Sequence, residues 1–196
     1  MAAAPEIKLT NPAKERMRAG QPALGMNIRL GRSADIARIA KNTGHDFIFI
    51  DIQHSIFNLE TIAHIAQTAL AIGIAPLVRV RSVNDPDVSL LLDNGVTGIV
   101  FPDVATAADA RKAVDTCRFA PLGKRSVSGG YPHFDYRSVP VAQAVAAITQ
   151  GCGIHCLAAG MVSASIQVRE RAAQIIHLPS PHVRRMDLRN RRQPTI

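Results

Sequence analysis

The chain has no tryptophan, and aromatic residues make up only 4% of its 196 positions. Its basic side chains are therefore not interleaved with the stacking surfaces that nucleic-acid readers use, and no nucleic-acid partner is expected. Three cysteines (Cys117, Cys152 and Cys156) form no even disulfide framework, which points to a reducing, cytoplasmic setting. No apolar run approaches the roughly 20 residues that span a bilayer. The first residues, Met1-Ala-Ala-Ala-Pro-Glu6, lack the basic and apolar regions of a secretory signal. Also missing are G-x-G-x-x-G and G-x-x-x-x-G-K-[ST], so an open nucleotide-binding sheet has no phosphate loop to rest on.

What is present suits one globular domain: 47% hydrophobic and 19% charged residues. The formal charge of +8 is unevenly spread. Residues 151–196 hold seven arginines against Glu170 and Asp187, a net of +5, which leaves +3 for the first 150 positions. The basic character belongs mainly to the C-terminal segment and says little about the body.

Phe47-Ile-Phe-Ile-Asp51 is a continuous apolar run ending in an acid, with His54 three residues on. Such a run reads as a parallel strand buried on both faces. Similar strands are expected over residues 23–29, 75–80 and 98–102. Helices lie between them. Ser33, Asn58, Asn84 or Asp85, and Thr106 offer N-caps, Pro86 suits a first helical turn, and Gly44, Gly73 and Gly95 stop the helices. Strand–helix repetition every 20–30 residues predicts right-handed crossovers and a parallel α/β sheet, in barrel form. Residues 1–22 read as an N-terminal arm or short helix. A loop-rich stretch from about residue 118 reads as a lid or subunit contact, and residues 139–148 as a helix.

Strand ends on one face of a parallel barrel carry its chemistry. Asp51 and His54 follow the second strand, Arg79 ends the third, and Asp103 follows the fourth. Arginine's planar fork suits a carboxylate, and histidine moves protons near neutral pH. The same residues also admit a bland reading: Asp51 as a turn cap, His54 as a solvated loop residue, Arg79 as an end-of-strand ion pair.

Ile50-Asp-Ile-Gln-His-Ser55 resembles the Asp-x-Glu-His segment of the HpcH/HpaI aldolases, the 2,4-dihydroxyhept-2-ene-1,7-dioate aldolase or citrate lyase β-subunit-like group. Pro76-Leu-Val-Arg-Val80 with Asn84-Asp-Pro86, Leu91-Leu-Asp-Asn-Gly95, Val100-Phe-Pro102 and Arg118-Phe-Ala-Pro-Leu-Gly-Lys-Arg125 are similar to further motifs of that family, in order, across residues 23–150. The resemblance implies a TIM-type (β/α) barrel of the phosphoenolpyruvate/pyruvate-binding kind. It implies cleavage or formation of a 4-hydroxy-2-oxo acid, with pyruvate and an aldehyde as the parts. His54 would be the acid/base, Asp51 its orienting partner, and Arg79 the holder of the 2-oxo-acid carboxylate, beside Gln53. A divalent ion, Mg or Mn, would polarise the 2-oxo group. A homo-oligomer is expected.

Two departures qualify the resemblance. Gln53 stands where the family usually has glutamate. A full barrel takes about 250 residues, so the expected architecture is incomplete, roughly the first half to five units, with strands one and four left open at their edges. Gln167 falls where a metal-ligand glutamate would stand, and Asp187 among arginines is a poor second ligand. Residues 151–196 form an atypical C-terminal segment, with 177–196 reading as a shifted frame or a disordered tail. The alternative is thus a catalytically inactive, truncated or frameshifted remnant. Cys152, His155 and Cys156 lack a second cluster to complete a zinc site.

Overall fold

The computed structural model describes residues 7–158, with side chains as far as Gly153. Helix α1 (Pro12–Arg18) precedes β1 (Gly25–Ile28), α2 (Asp35–Asn42), β2 (Phe47–Asp51), α3 (Leu59–Ala71), β3 (Ala75–Arg79), α4 (Val88–Asp93), β4 (Gly98–Val104), α5 (Ala107–Cys117), α6 (Val141–Gly151) and β5 (Gly153–Ala158). The strands form one parallel sheet in the order β1-β2-β3-β4-β5. Strand order follows chain order without reversal, so the sheet has no topological switch point. That is the winding of a (β/α) barrel, not of a doubly wound sheet. Among the described residues, no helix is long and apolar enough to cross a membrane.

Local chemistry explains most element boundaries. The Asn58 side chain accepts from the Thr61 amide at 2.8 Å and starts α3. Thr106 and Asp109 cap α5 reciprocally, with Thr106 Oγ1 accepting from the Asp109 amide at 3.1 Å and Asp109 accepting from the Thr106 amide at 2.9 Å. Two expected starts move. The residue capping α2 is Ala34, not Ser33, although Ser33 Oγ accepts from the Asp35 amide at 3.2 Å. Helix α4 begins at Val88, beyond Pro86, because the Asp85 carboxylate draws residues 81–87 into a turn of its own. It accepts from the amides of Arg81 (2.9 Å) and Asp87 (3.0 Å) and from the Arg81 guanidinium.

The main core lies between strands and helices: Ile48, Ile50, Val78, Ile99 and Phe101 pack against Ile62, Ile65 and Leu92. A second cluster joins Phe119, Tyr131, Phe134, Ile148 and Cys152, with Ile7 and Leu9 against it. The stretch read as a lid or subunit contact is thus anchored to the body at Phe119, Arg125, Tyr131 and Phe134, while most of the residues between these anchors are exposed. Arg125, 4% exposed, anchors that stretch: Nη2 donates to Asp93 Oδ1 at 2.6 Å and the guanidinium covers the Phe119 ring at 4.5 Å. The N-terminal arm is docked as well, since Asn11 Nδ2 donates to the Gly151 carbonyl at 2.9 Å and Lys14 Nζ to that of Cys152 at 3.2 Å. The expected open edge at strand four is also corrected. β5 pairs along β4, so the edges of the described sheet are β1 and β5.

His133 is buried between these layers, with Nε2 donating to the Val96 carbonyl at 3.4 Å. Burial pushes its pKa down from 6.5 to about 4, the Val96 hydrogen bond opposes this, and the Arg125 charge adds to it. The unfolded chain therefore takes up a proton near pH 6.5 that the folded chain refuses until about pH 4. The His133 contribution to stability should be constant above pH 7 and fall by up to about 3 kcal/mol between pH 6.5 and 4. Urea midpoints at pH 7.5 and 5.0 measure this, and His133→Gln should flatten the slope.

Candidate functional site

The site is built where β1, β2 and β3 end. Parallel register sets Asp51 beside Arg79, the last residues of their strands. The Asp51 carboxylate is fully buried, and the Arg79 guanidinium closes on it with both arms, Nε to Oδ1 at 3.0 Å and Nη2 to Oδ2 at 2.6 Å. Oδ1 also accepts from the amides of Gln53 (3.0 Å) and His54 (3.3 Å). Burial opposes the charge on Asp51, but the hydrogen bonds from Arg79 and these amides, with the Arg79 charge, outweigh it. The carboxyl is held below its ordinary value. Beneath the guanidinium lies the Phe49 ring, 5.8 Å away.

A second cation stands opposite. Arg29, the residue after β1, brings Nε within 3.5 Å of Asp51 Oδ2. Its Nη2 donates to the His54 carbonyl at 2.8 Å, and Nε reaches Ser55 Oγ at 3.2 Å. On the other side, Gln53 Nε2 donates to Asp103 Oδ2 at 2.9 Å. Asp103 is exposed and holds a left-handed backbone, φ 53°, where the pairing of β4 with β5 shifts register.

Asp51, Gln53, His54 and Arg79 are thus gathered at one end of the sheet, as is Asp103. One expected contact differs. Asp51 holds His54 through its backbone amide, and the exposed His54 ring makes no hydrogen bond among the described residues. The reason is that both carboxylate oxygens are already engaged by Arg79. Among the described residues, Arg79 keeps both N–H groups of Nη1 and the second N–H of Nη2 for a ligand. Sequence reasoning missed Arg29, although its place directly after a strand is the signal that marked the other residues.

Carboxylates do not converge here. Among the described residues, no group of three or more His, Cys, Asp or Glu side chains could hold a metal ion. Asp51 is saturated by Arg79 and two amides, and Asp103 is tied to Gln53, so these residues do not fit a divalent ion on their own. The Cys152 thiol is buried, and burial pushes its pKa up to about 11, so it is no thiolate at neutral pH. Gln167 and Asp187 lie outside the described residues.

With this geometry, the sequence matches the HpcH/HpaI aldolase/citrate lyase family model over residues 28–173. The chain belongs to that family. Among HpcH/HpaI relatives, the 4-hydroxy-4-methyl-2-oxoglutarate aldolase of Hapsidospora irregularis is 40% identical over 136 residues, 69% of this chain and 50% of that protein. The 2-keto-3-deoxy-L-rhamnonate aldolase of Escherichia coli O157:H7 is 33% identical over 119 residues, 61% of this chain and 44% of that protein. The chain spans about half the length of the curated relatives it matches. In structure it is similar to an HpcH/HpaI aldolase from Desulfitobacterium hafniense DCB-2, with TM-score 0.75, 26% identity, and coverage of 83% of this chain and 62% of that one. The citrate synthase SbnG gives TM-score 0.68 at 27% identity, covering 85% and 62%.

Asp51→Asn should cost about 3 kcal/mol in a urea titration, because the buried guanidinium side of Arg79 loses its counter-charge. An unchanged midpoint would show that the pair contributes nothing net.

Proposed function

We propose that this chain acts as a carbon–carbon lyase on a 4-hydroxy-2-oxo acid, releasing pyruvate and an aldehyde or joining them. The observation that carries this reading is the gathering of Arg79, Asp51 and His54 at adjacent strand ends. The aldolase names of the relatives support the substrate class.

In cleavage, a base removes the C4 hydroxyl proton and the C3–C4 bond breaks. Its electron pair passes into C3 and the 2-oxo group as the pyruvate enolate, and a proton then returns to C3. His54, exposed at the strand end, suits the proton transfers. The free Nη1 of Arg79 suits the substrate carboxylate, and its positive charge favours the enolate over the ketone. Asp51 keeps the guanidinium in place, and Gln53 lines the same mouth. Metal polarisation of the 2-oxo group, expected from the resemblance with Mg or Mn, is not assigned to the described residues because their carboxylates are engaged.

The test is pyruvate release from 4-hydroxy-4-methyl-2-oxoglutarate, with and without Mg or Mn. Turnover is expected, with His54→Ala lowering kcat by about 100-fold or more and Arg79→Lys raising KM. No turnover under any metal condition would favour the inactive remnant.

We further infer a cytoplasmic protein that self-associates. Leu30 and Ile56 are each 88% exposed at the site's rim, and β1 is an edge strand of the described sheet. Sedimentation at micromolar concentration should show oligomers. A monodisperse monomer would overturn this.

A further inference from the structure

Asp51 secures only the front of the loop that carries His54, through the amides of residues 53 and 54. The back of the loop is held from the neighbouring β1–α2 connection by two arginines. Arg29 donates to the His54 carbonyl at 2.8 Å and to Ser55 Oγ at 3.2 Å. Arg32 donates to the Ile56 carbonyl at 2.6 Å and to the Leu30 carbonyl at 2.9 Å, and its guanidinium covers the Phe57 ring at 4.6 Å. Residues 54–57 are therefore fastened at four consecutive positions by side chains from another strand end.

We propose that Arg29 is a positioning residue for His54, with Arg32 completing the clasp. Three features single out Arg29. Among the described residues, it is the one side chain paired with both the back of the loop carrying His54 and Asp51, at 3.5 Å, so loop placement and the charge cluster share an anchor. Its contacts use the fork of a guanidinium, which a lysine ammonium cannot reproduce at two acceptors on one loop. The carbonyl it holds belongs to His54 itself, so releasing that peptide frees the Cα from which the imidazole is aimed. A misplacement of about 1 Å at a reacting group lowers rate by about 100-fold, without weakening substrate binding elsewhere in the site.

The catalytic side of this inference rests on the aldolase reading, whereas the clasp itself does not. The experiment therefore measures both in the full chain. Arg29→Gln and Arg29→Lys are assayed for pyruvate release, with kcat and KM resolved, and for hydrogen exchange at the amides of Gln53 and His54. Arg32→Gln serves as an independent lesion on the same loop. The expected result for Arg29→Gln is a kcat about 10- to 100-fold lower, KM within about twofold, and exchange at both amides at least about tenfold faster. Arg29→Lys should recover little of either, and Arg32→Gln should change both in the same direction. A raised KM with kcat retained would overturn the proposal and make Arg29 a substrate-binding cation. Unchanged exchange would overturn the clasp. If the unaltered chain releases no pyruvate, the aldolase reading fails while exchange still decides the clasp.

Discussion

A charged carboxylate with no solvent exposure is the constraint on which this structure depends. Removing Asp51 from water costs several kcal/mol unless its charge is met by well-aligned donors. Here Arg79 meets it along two parallel hydrogen bonds, two loop amides add to them, and Arg29 approaches at 3.5 Å. The pair also does something the apolar residues cannot. Phe47–Ile50 and Ala75–Val78 are apolar on both faces, so alternation of polar and apolar side chains does little to mark a slipped register between β2 and β3. Any slip would leave the Asp51 charge without its guanidinium. The ion pair thus selects the register, and the register places every other residue of the site.

Arg79 shows why a sequence reading could stop at two alternatives. Its position at a strand end fits both an ion pair and a carboxylate holder, and the structure gives the first directly while leaving Nη1 for the second. The strands and the caps of α3 and α5 were legible because their causes are local. A continuous β-branched run is its own signal, and Asn58 and Thr106 act on amides three residues away. The early start given to α4 failed because Asp85 has closer donors in Arg81 than the helix could offer. The packing of residues 118–138 was hidden for a different reason. It depends on Arg125 reaching Asp93 across 32 positions, and no periodicity records that.

Arg29 and Arg32 were illegible for the same reason. Each is separated from the loop it holds by more than 20 residues, and an arginine after a strand looks like any solvated cation. Only the parallel pairing of β1 with β2 brings the two connections side by side. The loop carrying His54 is therefore defined by three strand ends together: Asp51 within it, Arg79 beside it, and the β1–α2 arginines behind it.

Gln53 gains a physical reason from the same juxtaposition. As a departure from a glutamate-bearing motif, it reads as the loss of a negative charge. In the structure its amide donates to Asp103, at 2.9 Å, across the mouth of the site. A carboxylate in that place would face another carboxylate at hydrogen-bond distance, an arrangement that two ionised acids do not sustain. Asp103 in turn sits in a left-handed conformation that costs a non-glycine residue about 1 kcal/mol, at the register shift ending β4. The neutral amide and the strained acid explain each other. The negative charge absent from position 53 is present on Asp103, two strand-ends away, held by the Gln53 amide.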